Sequence, residues 1–400
     1  MRRLAVLLAL VASATAAHAD DRNVKIGVLT DLSSVYSDLT GPGSVLGAQM
    51  AVEDSGLVGK GWMIEVISAD HLNKPDVGAG IAREWLDAEG VDVILDVPNS
   101  GVALAVAAIV KEKNAVFLNS GAGTIALTNK ACTPNTVHWT FDTYMLAHGT
   151  ATAVVKQGGD SWFFITADYV FGKTLQDDAT EVVVANGGKV VGSVSAPLNT
   201  ADFSSYVLQA QSSKAKVIAL ANAGGDTDNA IKQAHEFGVG AGQKIAPLLF
   251  GIEDAHALGL ETAQGLQFTE AYYWDMNEDT RAFAKRFQAR AHNHFMPSQG
   301  QAGVYAATAH YLKVLAASGA NSHDGAAIVA KMKAMPTDDP LFGKGRIRED
   351  GRHIHPAYLF QVKTPAQSKY PWDYYTLVET IPAEQAFKPL AQSECPLVKK

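Results

Sequence analysis

The sequence predicts an α/β protein of two lobes, each a parallel sheet covered by helices on both faces. Three observations carry this. Short apolar runs alternate with longer helical stretches, the pattern of βαβ units. The alternation pauses near Val137 to Thr143 and then restarts. The chain has 400 residues, more than one ordinary core holds.

The elements follow in order. Val24 to Thr30 reads as a strand and Ser44 to Glu53 as the helix after it. Trp62 to Ile67 and Val77 to Asp87 repeat the unit. Val91 to Leu95 and the apolar helix Val102 to Lys111 repeat it again, and Ala115 to Leu118 adds a fourth strand. After the pause come strands at Ser161 to Ile165, Lys189 to Val194, Lys216 to Leu220 and Ile245 to Phe250. Helices near Lys173 to Ala185, Phe203 to Gln211 and Thr227 to Phe237 lie between them. Right-handed crossovers then place helices on both faces of each sheet. Beyond Phe268 the pattern changes. Thr280 to His294, Gln301 to Ala317 and Asp324 to Ala334 read as helices. Gly345 to Glu349 and His353 to Val362 read as two strands across the turn pair Asp350-Gly351. From Thr364 onward little periodicity remains, and a wrapped tail is expected.

The N-terminus has the layout of a cleaved secretory signal. Arg2 and Arg3 precede the apolar run Leu4 to Ala16, and Ala17-His18-Ala19 supplies the small residues of a cleavage site. That run is too short to cross a core of about 30 Å. Residues 1–19 are therefore set aside, with the mature chain starting near Asp20. The net charge of −8 becomes −10 once Arg2 and Arg3 leave. An acidic chain of 47% hydrophobic and 18% charged residues fits a packed globular protein and excludes nucleic acid and anionic lipid as partners. The two cysteines, Cys132 and Cys395, are expected to pair in an oxidising compartment, the alternative being two buried thiols.

Enzyme signatures fail one by one. Phe171-Gly172-Lys173-Thr174 resembles the end of a phosphate loop, but Ala167 stands where that loop needs its first glycine. Gly41-Pro42-Gly43 lies too far beyond its strand for a dinucleotide turn. There is no Gly-x-Ser-x-Gly elbow. The pairs His292/His294 and His353/His355 lack the further ligands a metal site needs. No catalytic residue, cofactor or metal is expected.

Ligands of open parallel sheets bind beyond the C-terminal strand ends, and that rule selects the candidate loops. In the first half these hold Ser33, Ser34 and Tyr36; then Asn99 and Ser100; then Ser120, Gly121, Ala122, Gly123 and Thr124. Small hydroxyl residues and free N–H groups at a helix start suit a carboxylate, although the same residues also cap helices. In the second half the loops hold Asp168, Tyr169 and Phe171; Asn222 and Asp226; and Glu253 with Asp254. A buried ammonium needs a carboxylate beside it.

Several segments resemble the type I periplasmic binding proteins, in the leucine/isoleucine/valine-binding branch. They are Lys25 to Ser33, Gly41 to Ser44, Ala48 to Asp54, Val97 to Ser100, Asn119 to Thr124 and Asp168 to Gly172. The resemblance implies two Rossmann-like lobes joined by a multi-strand hinge that closes on its ligand. It implies lobe 1 at 20–142 with 273–346, lobe 2 at 143–272 with 347–385, and a tail at 386–400. It also implies a monomeric periplasmic subunit that hands a solute to the membrane permease of an ABC importer. Glu253 is placed by it nearest the acid that meets a ligand's amino group. Phe171 and Asp226-Thr227 stand where the family often has tyrosine, so both an amino acid and an aromatic carboxylate stay open as ligand. A sensor feeding a separate receptor is the other reading.

Overall fold

The computed structural model describes residues 22–240, 242–318 and 323–399; the expected signal segment lies outside the described residues. Lobe 1 opens with β1 (Asn23–Thr30), α1 (Gly41–Ser55), β2 (Met63–Asp70), α2 (Pro75–Asp87), β3 (Val93–Asp96), α3 (Ser100–Lys113), β4 (Val116–Asn119) and β5 (Thr136–His138). These strands form one parallel sheet in the order β2-β1-β3-β4-β5. Every residue of β3 and β4 is buried, as parallel strands covered on both faces must be.

The chain then enters lobe 2. There it forms α4 (Thr143–Lys156), β6 (Ser161–Ala167), α5 (Val170–Ala185), β7 (Lys189–Ala196), α6 (Ser204–Ser212), β8 (Val217–Ala221), α7 (Gly225–Glu236), β9 (Lys244–Pro247), α8 (Ile252–Leu258), α9 (Leu260–Ala263) and β10 (Gln267–Glu270). The second parallel sheet runs β7-β6-β8-β9. It returns to lobe 1 for α10 (Glu278–Arg290), α11 (Gln299–Ser318), α12 (Gly325–Ala334), β11 (Thr337–Asp339), β12 (Gly343–Ile347) and β13 (His353–Ile354). Helix α11 lies so close to α1 that a Cβ on Gly47 would stand 2.8 Å from the Gln301 carbonyl. Strand β14 (Ala357–Val362), β15 (Tyr375–Ile381) and α13 (Ala383–Ala386) complete lobe 2.

Three expectations change. The strand read as His353 to Val362 is two strands, because Pro356 has no N–H to continue a ladder. Residues 347–354, expected in lobe 2, stay with lobe 1: β13 pairs β12, and Arg352 bridges His138. The segment read as a tail contains β15, which joins β14 and β10 in an antiparallel sheet. Its five central residues are exposed, so burial leaves no apolar period to read.

Cys132 and Cys395 form the expected disulfide, across a sequence separation of 263. The chain crosses between lobes after β5, after β10 and after β13. The first and third crossings are tied by Arg352. Its Nη2 donates to the Trp139 and Thr140 carbonyls at 3.1 and 2.6 Å, and its guanidinium sits 4.2 Å from the centre of the Phe387 ring. His355 Nε2 lies 2.7 Å from the same Thr140 carbonyl.

Candidate functional site

The site is built from the loops that leave the C-terminal ends of β1, β3, β4, β6, β8 and β9. The first is organised by Asp31, which is fully buried. Its carboxylate accepts the Ser34 and Tyr36 N–H groups at 2.8 and 3.0 Å and the Asn73 amide at 2.7 Å. That turn carries Val35 and Tyr36 across to lobe 2. Tyr36 and Tyr169 share a hydrogen bond between hydroxyls at 2.6 Å. The Val35 carbonyl accepts from Gly225 N at 3.1 Å. Gly224, at φ 57, packs so tightly that a Cβ would lie 2.1 Å from that carbonyl. The lobes are therefore in contact, and the protein is in a closed form.

The loop after β3 is strained. Asp96 and Val97 have φ of 77 and 58, a region that a β-branched residue rarely enters. A hydrogen bond of 2.7 Å from Thr30 Oγ1 holds the Asp96 carboxylate, and burial pushes its pKa up to about 7. The turn drives Pro98 against Gly121, where a Cβ would meet it at 2.8 Å. After β4, the Asn119 side chain bonds both the N–H and the carbonyl of Ala122 and fixes the glycine-rich loop. A Cβ on Gly123 would strike the Phe171 ring at 2.8 Å.

Between the lobes lies a small cavity of about 10 Å³, room for about one water in this closed form. Tyr36, Leu39, Pro98, Gly121 and Gly123 line it from lobe 1, and Tyr169, Phe171, Ala223 and Leu249 from lobe 2. Its largely apolar walls with a few polar groups are those of a solute site, and admitting a solute requires the lobes to part. Burial raises the pKa of both tyrosines well above the ordinary value, so both stay neutral donors. Larger grooves exist, but the one beside Asp38, Gln49 and Arg290 is lined from lobe 1 alone and is no meeting place of strand ends.

Of the sequence-selected residues, Tyr36, Gly121, Gly123, Tyr169 and Phe171 come together on this cavity. The others do other things. Asn99 caps α3, accepting from Gly101 N and Val102 N. Thr124 caps the following turn, and its N–H reaches Ser100 Oγ at 3.3 Å. Ser120 faces α11, its Cβ beside Gly303. Ala122 belongs to the core under α2 and α3. Ser33 is exposed and donates to Asp70. Asp168 is exposed and pairs Lys173 at 3.0 Å, so it does not reach the cavity. Asp226 accepts the Asn199 and Thr200 N–H groups, and Asn222 accepts from the Thr227 hydroxyl at 2.7 Å. Glu253 is buried and does not line the aromatic cavity. Leu39, Pro98, Ala223 and Leu249 were not anticipated; each is apolar or small and adjoins a selected loop.

Two closed lobes with strand ends facing a common cavity frame the comparison with known proteins. A family model described as periplasmic binding protein matches residues 23–369. The chain belongs to the periplasmic binding protein family. This is a family of solute binders, not enzymes. Among solved structures, the chain is similar to a periplasmic binding protein of Burkholderia mallei, with 49% identity, a TM-score of 0.90, and coverage of 94% of this chain and 100% of that one. It is also similar to a branched chain amino acid ABC transporter periplasmic ligand-binding protein of Burkholderia xenovorans LB400, at 38% identity and TM-score 0.81, over 94% and 99% of the two chains. Leu/Ile/Val-binding protein homolog 6 of Brucella abortus (strain 2308) is 26% identical over 88% of this chain and 91% of its own. Among the described residues of this periplasmic binding protein, no helix is long and apolar enough to cross a membrane.

Proposed function

We propose that this periplasmic binding protein is the capture subunit of an ABC importer and closes on an amino acid or related small carboxylate between its lobes. The observation that carries the reading is the closed cavity itself. It is small, formed by both lobes, and lined on one side by the glycine-rich loop after β4. The likeness to the Burkholderia xenovorans protein supports an importer as the recipient. A membrane permease is then the partner, and the protein acts as a monomer in the periplasm after losing residues 1–19.

One observation favours a second reading. Tyr36, Tyr169 and Phe171 make the cavity aromatic, with Tyr169 and Phe171 ring centres 6.1 Å apart. Such walls suit an aromatic carboxylate. A thermal-shift screen of refolded protein against amino acids and aromatic acids separates the two. A ligand at a hundred times its Kd adds about 2.7 kcal/mol. Stabilisation by neither class would sink the capture reading.

A further inference from the structure

Asp96, the last residue of β3, stands directly behind one wall of the solute cavity. A Cβ on Gly121, which lines that cavity, would lie 2.7 Å from Asp96 Oδ1. The Asp96 carbonyl accepts the Ser120 and Gly121 N–H groups, at 3.4 Å each. Side chain and backbone of this one residue both bear on the glycine loop. Gly121 interposes only its own backbone between the carboxyl and the cavity.

That carboxyl is poorly provided for as an anion. It is fully buried. Thr30 Oγ1 of β1 donates to Oδ2 at 2.7 Å, while Oδ1 has no hydrogen-bond partner. The Ser44 hydroxyl of α1 is buried and unpartnered too, although near enough to favour the ionised form. Asn119 of β4, beside Asp96 in the sheet register, spends its side chain on Ala122. Among the described residues, the charge that acts on Asp96 is Asp31 in the loop after β1, and it has the same sign. A buried carboxylate with one donor and an acid for a neighbour is costly. The group therefore keeps its proton up to about pH 7.

We propose that Asp96, acting through Gly121, couples capture of an anionic solute to the uptake of a proton. The inference rests on the capture reading and adds which charge of the solute meets this wall. Two negative charges facing across one glycine, in a site closed to water, repel. Binding draws a proton from solvent onto Asp96 instead of leaving both groups ionised. A carboxyl whose pKa rises on binding gives affinity that is full below its pKa in the free protein and falls as pH rises through it. An ammonium group at the same wall would favour the ionised carboxyl and reverse the sign.

The test takes leucine, valine, phenylalanine and benzoate, whose carboxylates stay charged between pH 6 and pH 8, on protein freed of bound ligand. For the tightest binder, wild-type affinity falls about five- to tenfold from pH 6 to pH 8. Calorimetry at pH 8 in phosphate and Tris buffers reads the uptake of about half to one proton per solute, and far less at pH 6. Asp96→Asn abolishes both effects: its affinities at the two pH values agree within about twofold. Thr30→Val withdraws the donor that favours the ionised carboxyl, so the fall moves to higher pH and the two affinities draw together. Thermal midpoints show that each variant folds, and the proton count on wild type stands without them. A wild-type affinity that is flat or rises with pH, or protons released on binding, would overturn the inference and leave capture standing. So would an Asp96→Asn protein that keeps the wild-type fall. If none of the four solutes binds, this inference falls, and the capture reading falls with it only if the whole thermal-shift screen is negative too.

Discussion

Lobe 1 reaches the cleft mostly with backbone and one ring: Gly121, Gly123, Pro98 and Tyr36 stand on loops pinned by Asp31, Asn119 and the strained Asp96-Val97 turn. Lobe 2 reaches it with rings, Tyr169 and Phe171, mounted at the start of α5. A pinned loop fixes the shape of one wall, whereas rings on a helix set the bulk of the other. The lobes are unlike in fastening too: the disulfide ties Cys132 of lobe 1 to the C-terminal tail. Substitutions should therefore divide. Those in lobe 1 should act on stability or on whether the lobes meet, and those in lobe 2 on what the lobes enclose.

The largest expected effect is on lobe 1. Cys395→Ser removes a loop closure of 263 residues and should cost about 5.6 kcal/mol in the chain-entropy model, read by calorimetry as a fall in the unfolding midpoint. Next comes pH. Asp96 is fully buried, and its folded pKa of about 7 lies above the usual 3.8. A carboxyl raised in this way contributes stability that is full below about pH 4 and is lost as pH rises through 7. The midpoint should be higher at pH 5 than at pH 8, and Asp96→Asn should remove up to about 2.6 kcal/mol of that difference.

Gly224→Ala tests the meeting of the lobes. Its side chain would collide with the Val35 carbonyl only in the closed form. Affinity should fall by at least about a hundredfold, roughly 2.8 kcal/mol, and the thermal midpoint of ligand-free protein should fall by the smaller cost of an alanine at φ 57, about 1–3 kcal/mol. Tyr36→Phe removes one hydrogen bond between the lobes and should weaken binding by about 1 kcal/mol. Asp168→Ala, at an exposed ion pair, should change affinity by less than about 0.5 kcal/mol. A large loss there would show that lobe 2 offers more than rings.

Much of this was legible because α/β architecture writes itself locally. Each buried strand is an apolar run and each helix a longer one, so Val93 to Asp96 and Ser161 to Ala167 announce themselves. The strand-end rule then found the cavity loops, and Tyr36 and Phe171 with them. It could not tell contact from capping. Asn99 and Thr124 have the residue types of a ligand site and spend them on helix starts. Asp168 looked equivalent to Tyr169, its neighbour, and turns the other way. The left-handed Asp96-Val97 turn leaves no mark in sequence, since neither residue favours it.

The chain's path has a consequence for the order in which the molecule is made. The parallel sheet of lobe 2 is a contiguous stretch, 161–247. Lobe 1 needs α11, whose Gln301 reaches back to the Thr40 carbonyl across 261 residues, and finally Cys395. Closing such distances is slow compared with local βαβ assembly. A chain delivered N-terminus first completes the second half's sheet while the first half still waits for its covering helix. Until then the apolar face of α1 is uncovered, and that interval is when a protease or a chaperone has its opportunity.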